Sequence, residues 1–215
     1  MKRTFLLFAA ILLMGFSIFL IVKSSQKSPV TISKLEFPEQ IQISSSETYQ
    51  IPPYEMTVNQ PSIVIMGKVS HVNVIIHPVR ALSTPEYPPL TDTFQVFVES
   101  KLEILNAQIA PDGLIHSALR TDQDTKFTWN IRTDKSTPME GTLWIYLALQ
   151  PRLANSVTEE QPLFAIPINL EVKTILGLPA DLAVVIGIFG NLLAIALLIL
   201  ALRPFFPKKQ TKNPK

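Results

Sequence analysis

In 164-FAIPINLEV-172, Phe164, Ile166, Ile168, Leu170 and Val172 alternate with Ala165, Pro167, Asn169 and Glu171. Successive side chains of a strand point to opposite faces, so one apolar face at period two predicts a half-buried strand. Pro167 has no amide proton for a ladder, which places it at a sheet edge or a bulge. Working back toward the N-terminus, "VTISKLEF", "IQIS", "SIVIM", "HVNVIIH", "TFQVFVES", "KLEILNAQI", "KFTWNI" and "TLWIYLAL" are further short alternating or β-branched runs. Pro, Ser, Asp and Asn separate them. Between residues 29 and 176 there are fourteen prolines and three glycines, which stiffens turns and disfavours helices. About nine strands at this spacing predict a mainly β fold, a β-sandwich over residues 30–175. The stretch "ALSTPEYPPLTDT" (81–93) could divide it into two small sandwiches. One domain is the simpler account, because each half alone would bury little core.

The segment "FTWNIRTDKSTPMEGTLWIYLAL" (127–149) carries Trp129 on one strand, a turn reaching Gly141, and a following strand with alternating leucines. It resembles late strands of immunoglobulin-like modules, without the paired cysteines of antibody domains. The resemblance implies a fold only, since one fold serves many functions.

Two apolar runs flank the strands. Phe5–Val22 carries no charge, and Leu182–Leu202 has Asn191 as its one strongly polar member. Roughly 20 helical residues cross a hydrocarbon layer of about 30 Å, so both runs are transmembrane candidates. All 17 acidic residues lie between Glu36 and Asp181, and residues 23–181 carry a formal −5. Lys2, Arg3, Arg203, Lys208, Lys209, Lys212 and Lys215 lie outside that region with no acid among them. Basic residues beside spans stay in the cytoplasm, so residues 1–4 and the basic tail 203–215 are expected there, with the central domain extracytoplasmic. The first run also fits a cleaved signal peptide, but its 18 residues exceed the usual leader core and no Ala-x-Ala follows. A signal anchor is the preferred reading, joined to the domain by a tether at 23–29. With no cysteine, disulfides, thiol catalysis and lipoprotein attachment are excluded.

Candidate chemistry is sparse. His71 and His77 lie on one side of a strand but about 20 Å apart, too far to share an ion. Asp122 and Asp124 read as a solvated turn, and Glu159 and Glu160 as loop charge. There is no Gly-x-Ser-x-Gly elbow, phosphate-cradling glycine loop or His-Glu-x-x-His. No catalytic residue, metal site or cofactor is therefore expected.

Two surfaces stand out. Leu143, Ile145, Leu147 and Leu149 make one apolar face of their strand; Trp144, Tyr146 and Ala148 make the other. Either a further layer covers the second face or it is a partner surface, since aromatics are enriched at protein contacts. In the second span, Ala183, Gly187, Gly190, Ala194 and Ala201 fall along one helical stripe with Asn191 beside them. Small residues let helices approach closely in lipid, and an amide can hydrogen-bond across the contact. The expected partner of this helix-packing stripe is the first span (through Ala10, Gly15 and Ser17), a second copy, or another protein. Leu198 is expected on a different part of that helix.

These readings describe a non-enzymatic interaction module of the plasma membrane, with the lipid bilayer and a protein or envelope component as partners and no nucleic acid. The alternative is an accessory subunit of a transport or secretion complex. Absence of cysteine and of any Asn-x-Ser/Thr sequon favours a bacterial envelope.

Overall fold

A computed structural model of the chain describes residues 2–44, 47–79, 87–152 and 159–202. The chain is mainly β, with an apolar helix near each end. It divides into two units: residues 28–173, and a second unit formed by residues 1–27 with 174–215. The basic tail 203–215 lies outside the described residues, as do 80–86, which include the first six residues of the stretch read as a divider.

In the 28–173 unit, five strands form one sheet: β1 (Val30–Glu36), β4 (Tyr54–Pro61), β6 (Ser70–Pro78), β10 (Thr125–Arg132) and β8 (Gln108–Ala110), in that spatial order. A second sheet has the order β5 (Ile63–Ile65), β12 (Glu159–Lys173), β11 (Met139–Pro151), β7 (Phe94–Ile104) and β9 (Ile115–Ala118). A small ribbon pairs β2 (Gln40–Ser44) with β3 (Glu47–Gln50). Neighbouring strands are antiparallel except β5, which runs parallel to the end of β12. Alternate residues of both sheets enter one apolar core. Met56, Val58, Val72, Val74, Trp129 and Ile131 come from the first sheet; Val98, Leu143, Ile145, Leu147 and Ile168 come from the second.

The stretch 164–172 is the second half of β12. Ile168 and Leu170 are buried, and Phe164, Ile166 and Val172 pack against the core. Pro167 pairs with Thr142 of β11, while β5 reaches only Glu171–Lys173. Its missing amide proton therefore faces a flank where no strand needs it.

Several boundaries differ from the sequence reading. "TFQVFVES" and "KLEI" are one unbroken strand, β7, because its alternation persists through Lys101: Val98, Ser100, Leu102 and Ile104 all face inward. Strands β3, β4 and β9 were not anticipated. Neither was the four-residue helix α2 (Leu90–Thr93), a single turn after Pro88 and Pro89. Gly141 is required by a close approach: a Cβ there would strike the Glu103 backbone carbonyl and lie 2.7 Å from Ile104 Cα.

In the other unit, α1 spans Lys2–Ser25 and α3 spans Ala180–Leu202. Helix α1 continues three residues into the expected tether, where the Ser24 and Ser25 hydroxyls donate to the Ile21 carbonyl at 2.7 and 2.9 Å. Such back-bonds give the last turn of a helix partners of its own.

Candidate functional site

Strand β11 carries the aromatic face. Leu143, Ile145, Leu147 and Leu149 point into the core, which leaves Trp144 and Tyr146 on the opposite side of the sheet. Their rings are nearly parallel, 17° apart with centroids 6.3 Å apart, and both are half-buried. Tyr146 stands beside Glu99 of β7, which in turn stands beside His116 of β9. Trp144 stands beside Lys101. The Trp144 indole N–H donates to Glu103 Oε2 at 3.0 Å, and Lys101 Nζ lies 2.6 Å from Glu103 Oε1. The indole is thus held by a carboxylate that is itself held by a lysine.

The charges on this face behave differently from one another. The Lys101 ammonium and then the Trp144 N–H hold Glu103 below the usual carboxylate range, and Glu103 raises Lys101 in return. Glu99 is pushed up, first by burial and then by the nearby Glu160 carboxylate, with His116 opposing. One Glu99 oxygen, Oε2, is shielded from solvent and has no hydrogen-bond partner among the described residues.

A raised carboxyl favours folding while it is protonated in both states. That contribution is lost as pH rises above the unfolded-state value and through the folded one. Glu99→Gln, which cannot ionise, is therefore expected to raise the melting temperature at neutral pH. The gain should vanish near about pH 4, where glutamate in the unfolded chain takes up its proton. Equal melting curves for parent and variant at neutral pH would show that Glu99 is not penalised by its surroundings.

The other sequence candidates lie apart from this face. His71 Nδ1 is 2.7 Å from Asn130 Oδ1, and His77 Nδ1 is 2.8 Å from Asp124 Oδ1, both pairs bridging β6 to β10 or the segment just before it. Asp124 also lies 3.9 Å from Lys126. Asp122 adds to the effect of burial in pushing the Tyr54 hydroxyl up to about 12. Among the described residues no three His, Asp or Glu side chains gather where an ion could sit.

The stripe on α3 packs against α1. A Cβ on Gly187 would lie 2.7 Å from Ile21 Cγ1 and 3.0 Å from the Ser17 carbonyl oxygen; one on Gly190 would strike the Ser17 hydroxyl. Advancing along α3 thus means retreating along α1, so the helices are antiparallel. Ala183, Gly187 and Ala194 are buried, while Gly190 and Asn191 are half-buried. The regularity is finer than the sequence reading found. Ala180, Gly187, Ala194 and Ala201 recur every seven residues, and so do Ala10, Ser17 and Ser24 on α1; all seven are buried. Repeating a small residue every seven positions keeps one narrow seam facing the neighbour along the whole contact. Two details need correcting. Gly15 is exposed, with nothing near the place of a Cβ. Leu198 is half-buried; it follows Ala194 by four residues and so lies on the same side.

No family model and no curated protein matches the chain. Among solved structures, it is similar to a chain from a complex described as formed between zinc 2-glycoprotein and prolactin inducible protein from human seminal plasma. The identity is 12%, the match covers 66% of this chain and 93% of that one, and the TM-score is 0.34.

Proposed function

We propose that the protein is a membrane-anchored, non-enzymatic interaction module whose β domain docks a partner through the Trp144–Tyr146 face. The observation that carries this reading is the pair of parallel, half-buried aromatic rings on the outer side of a sheet whose inner side already fills the core. Aromatic side chains bring large contact area at low conformational cost, and the Glu103 bond orients Trp144 in advance. The two five-stranded sheets around one core support an immunoglobulin-like β-sandwich.

Membrane placement of α1 and α3 is part of the proposal. Away from their seam both helices present large apolar side chains, such as Phe5, Phe8 and Leu12 on α1 and Phe189, Leu192 and Leu193 on α3, each more than half exposed. A surface of that kind needs an apolar solvent. The basic ends support cytoplasmic termini with the β domain outside, and the lack of cysteine and of any sequon supports a bacterial plasma membrane. Single cysteines at Thr128 and Thr211, probed on intact cells with an impermeant maleimide, check the orientation. Labelling from outside is expected at Thr128 alone, and labelling at Thr211 alone would invert the topology.

Docking is tested with a photo-crosslinking residue at Thr142, beside Trp144 on the same face, and at Thr128 on the outer side of the other sheet. A discrete adduct is expected from Thr142 and not Thr128, and it should disappear in Trp144→Ala. An adduct indifferent to Trp144 would remove the reading.

A further inference from the structure

Resting on that docking reading, we propose that the occupant of the Trp144–Tyr146 face is a protein segment that presents an arginine side chain between the aromatic pair and Glu99.

The argument is one of charge and shape. Of the three carboxylates around the rings, Glu103 is committed to Lys101 and to the Trp144 N–H. Glu99 and Glu160 are close enough to raise the Glu99 pKa, and neither is bridged to a lysine or arginine among the described residues. Across the ladder Glu99 faces His116, which opposes the upward shift of its pKa. The face therefore offers two carboxylates that no lysine or arginine among the described residues bridges, beside two parallel rings. A cation over aromatic faces is attracted by the ring quadrupole, and a nearby carboxylate strengthens its hold. Guanidinium fits better than ammonium on both counts. It is flat enough to lie against parallel rings, and it presents paired N–H groups to a carboxylate in a fixed fork. It is also more weakly hydrated than ammonium, so less is lost when a half-buried site strips its water. A neutral apolar segment would leave Glu99 and Glu160 repelling each other under the contact.

The test uses the full chain in neutral-lipid nanodiscs and a capped peptide, acetyl-Gly-Gly-Arg-Gly-Gly-amide. Its citrulline counterpart has almost the same shape without the charge, and its lysine counterpart keeps the charge without the fork. Binding is read from tryptophan fluorescence, with Trp144→Phe supplying the signal that belongs to Trp129. A saturable change is expected for the arginine peptide. It should be roughly tenfold weaker with citrulline and weaker by a smaller factor with lysine, in line with an energy of about 1–2 kcal/mol for a cation held over a ring. Glu99→Gln should weaken the arginine peptide by a similar factor while its melting curve shows the protein folded. Equal responses to arginine and citrulline, or an arginine response unchanged in both Glu99→Gln and Glu160→Gln, would overturn the assignment. The outcome separates cleanly from the docking reading. Crosslinking at Thr142 that depends on Trp144 but ignores Glu99 keeps the docking surface and removes arginine. Loss of Trp144-dependent crosslinking removes the surface and its occupant together.

Discussion

Trp129→Ala is expected to lower the stability of the β domain by about 3–5 kcal/mol, the usual cost of truncating a large buried aromatic. Trp129 is fully buried, pairs with Val72 across the ladder, and stacks on Phe127 with centroids 6.1 Å apart and planes 22° apart. Alanine would leave a hole among residues of two sheets that cannot collapse without shifting a strand. A companion variant shows where the energy resides. The Trp129 indole N–H is buried with no hydrogen-bond acceptor among the described residues. Trp129→Phe keeps much of the ring burial and removes that unpaired donor, so it should cost far less than alanine. Urea unfolding of the two variants measures both effects. An alanine variant as stable as the parent would mean that this side chain does not hold the sheets together.

Gly187→Leu is the second large effect. Ile21 can rotate away from an added side chain, but the Ser17 carbonyl oxygen, 3.0 Å from the new Cβ, belongs to the backbone of α1. The helices must separate, and overpacking of this kind costs about 1–3 kcal/mol. Gly190→Leu meets the Ser17 hydroxyl and should act likewise. Asn191→Leu should be milder, since Asn191 is only half-buried beside the seam. Oxidative crosslinking between Ser24→Cys and Ala183→Cys, both buried in the seam, reports the pairing. The yield is expected to collapse in both glycine variants and to survive Phe189→Ala, whose parent side chain points away from α1. A full yield in Gly187→Leu would show that the seam does not depend on its small residues.

How legible each part was depended on how many constraints its residues served. Strand β12 and the two apolar helices read clearly because one physical demand, a single apolar face or an entirely apolar surface, fixes every position. Strand β4 was missed although Tyr54, Met56 and Val58 alternate as well as any others. Their polar partners Glu55, Thr57 and Asn59 lower the average hydrophobicity, and Pro52 and Pro53 just before them read as loop. Residues 94–104 were split because Glu99, Ser100 and Lys101 look like a turn, whereas Ser100 lies inside and donates to the Trp144 carbonyl at 3.1 Å. The aromatic pair was visible from alternation alone. Its surroundings were not, because Glu99, Lys101 and Glu103 join Trp144 and Tyr146 only through a ladder spanning more than forty residues. The seam on α1 was obscured by Gly15, which satisfies a composition rule but lies off the seven-residue repeat.

The pairing of β5 with the last three residues of β12 has a consequence for the order of events during synthesis. Ile63–Ile65 must wait for Glu171–Lys173, and α1, made before the β domain, must wait for α3, made after it. A growing chain can assemble β1, β4 and β6 locally, but the second sheet lacks its edge and the first helix lacks its partner until nearly everything has emerged. Closing such long loops is slow, and their unpaired apolar surfaces are open to misassociation meanwhile. Because the β domain is inserted between the helices, its completion replaces a floppy loop of about 150 residues with a folded body and lowers the entropy lost when α3 meets α1. A ribosome stalled just before β12 should therefore display both defects at once, and extending the chain first through β12 and then through α3 should relieve them in sequence.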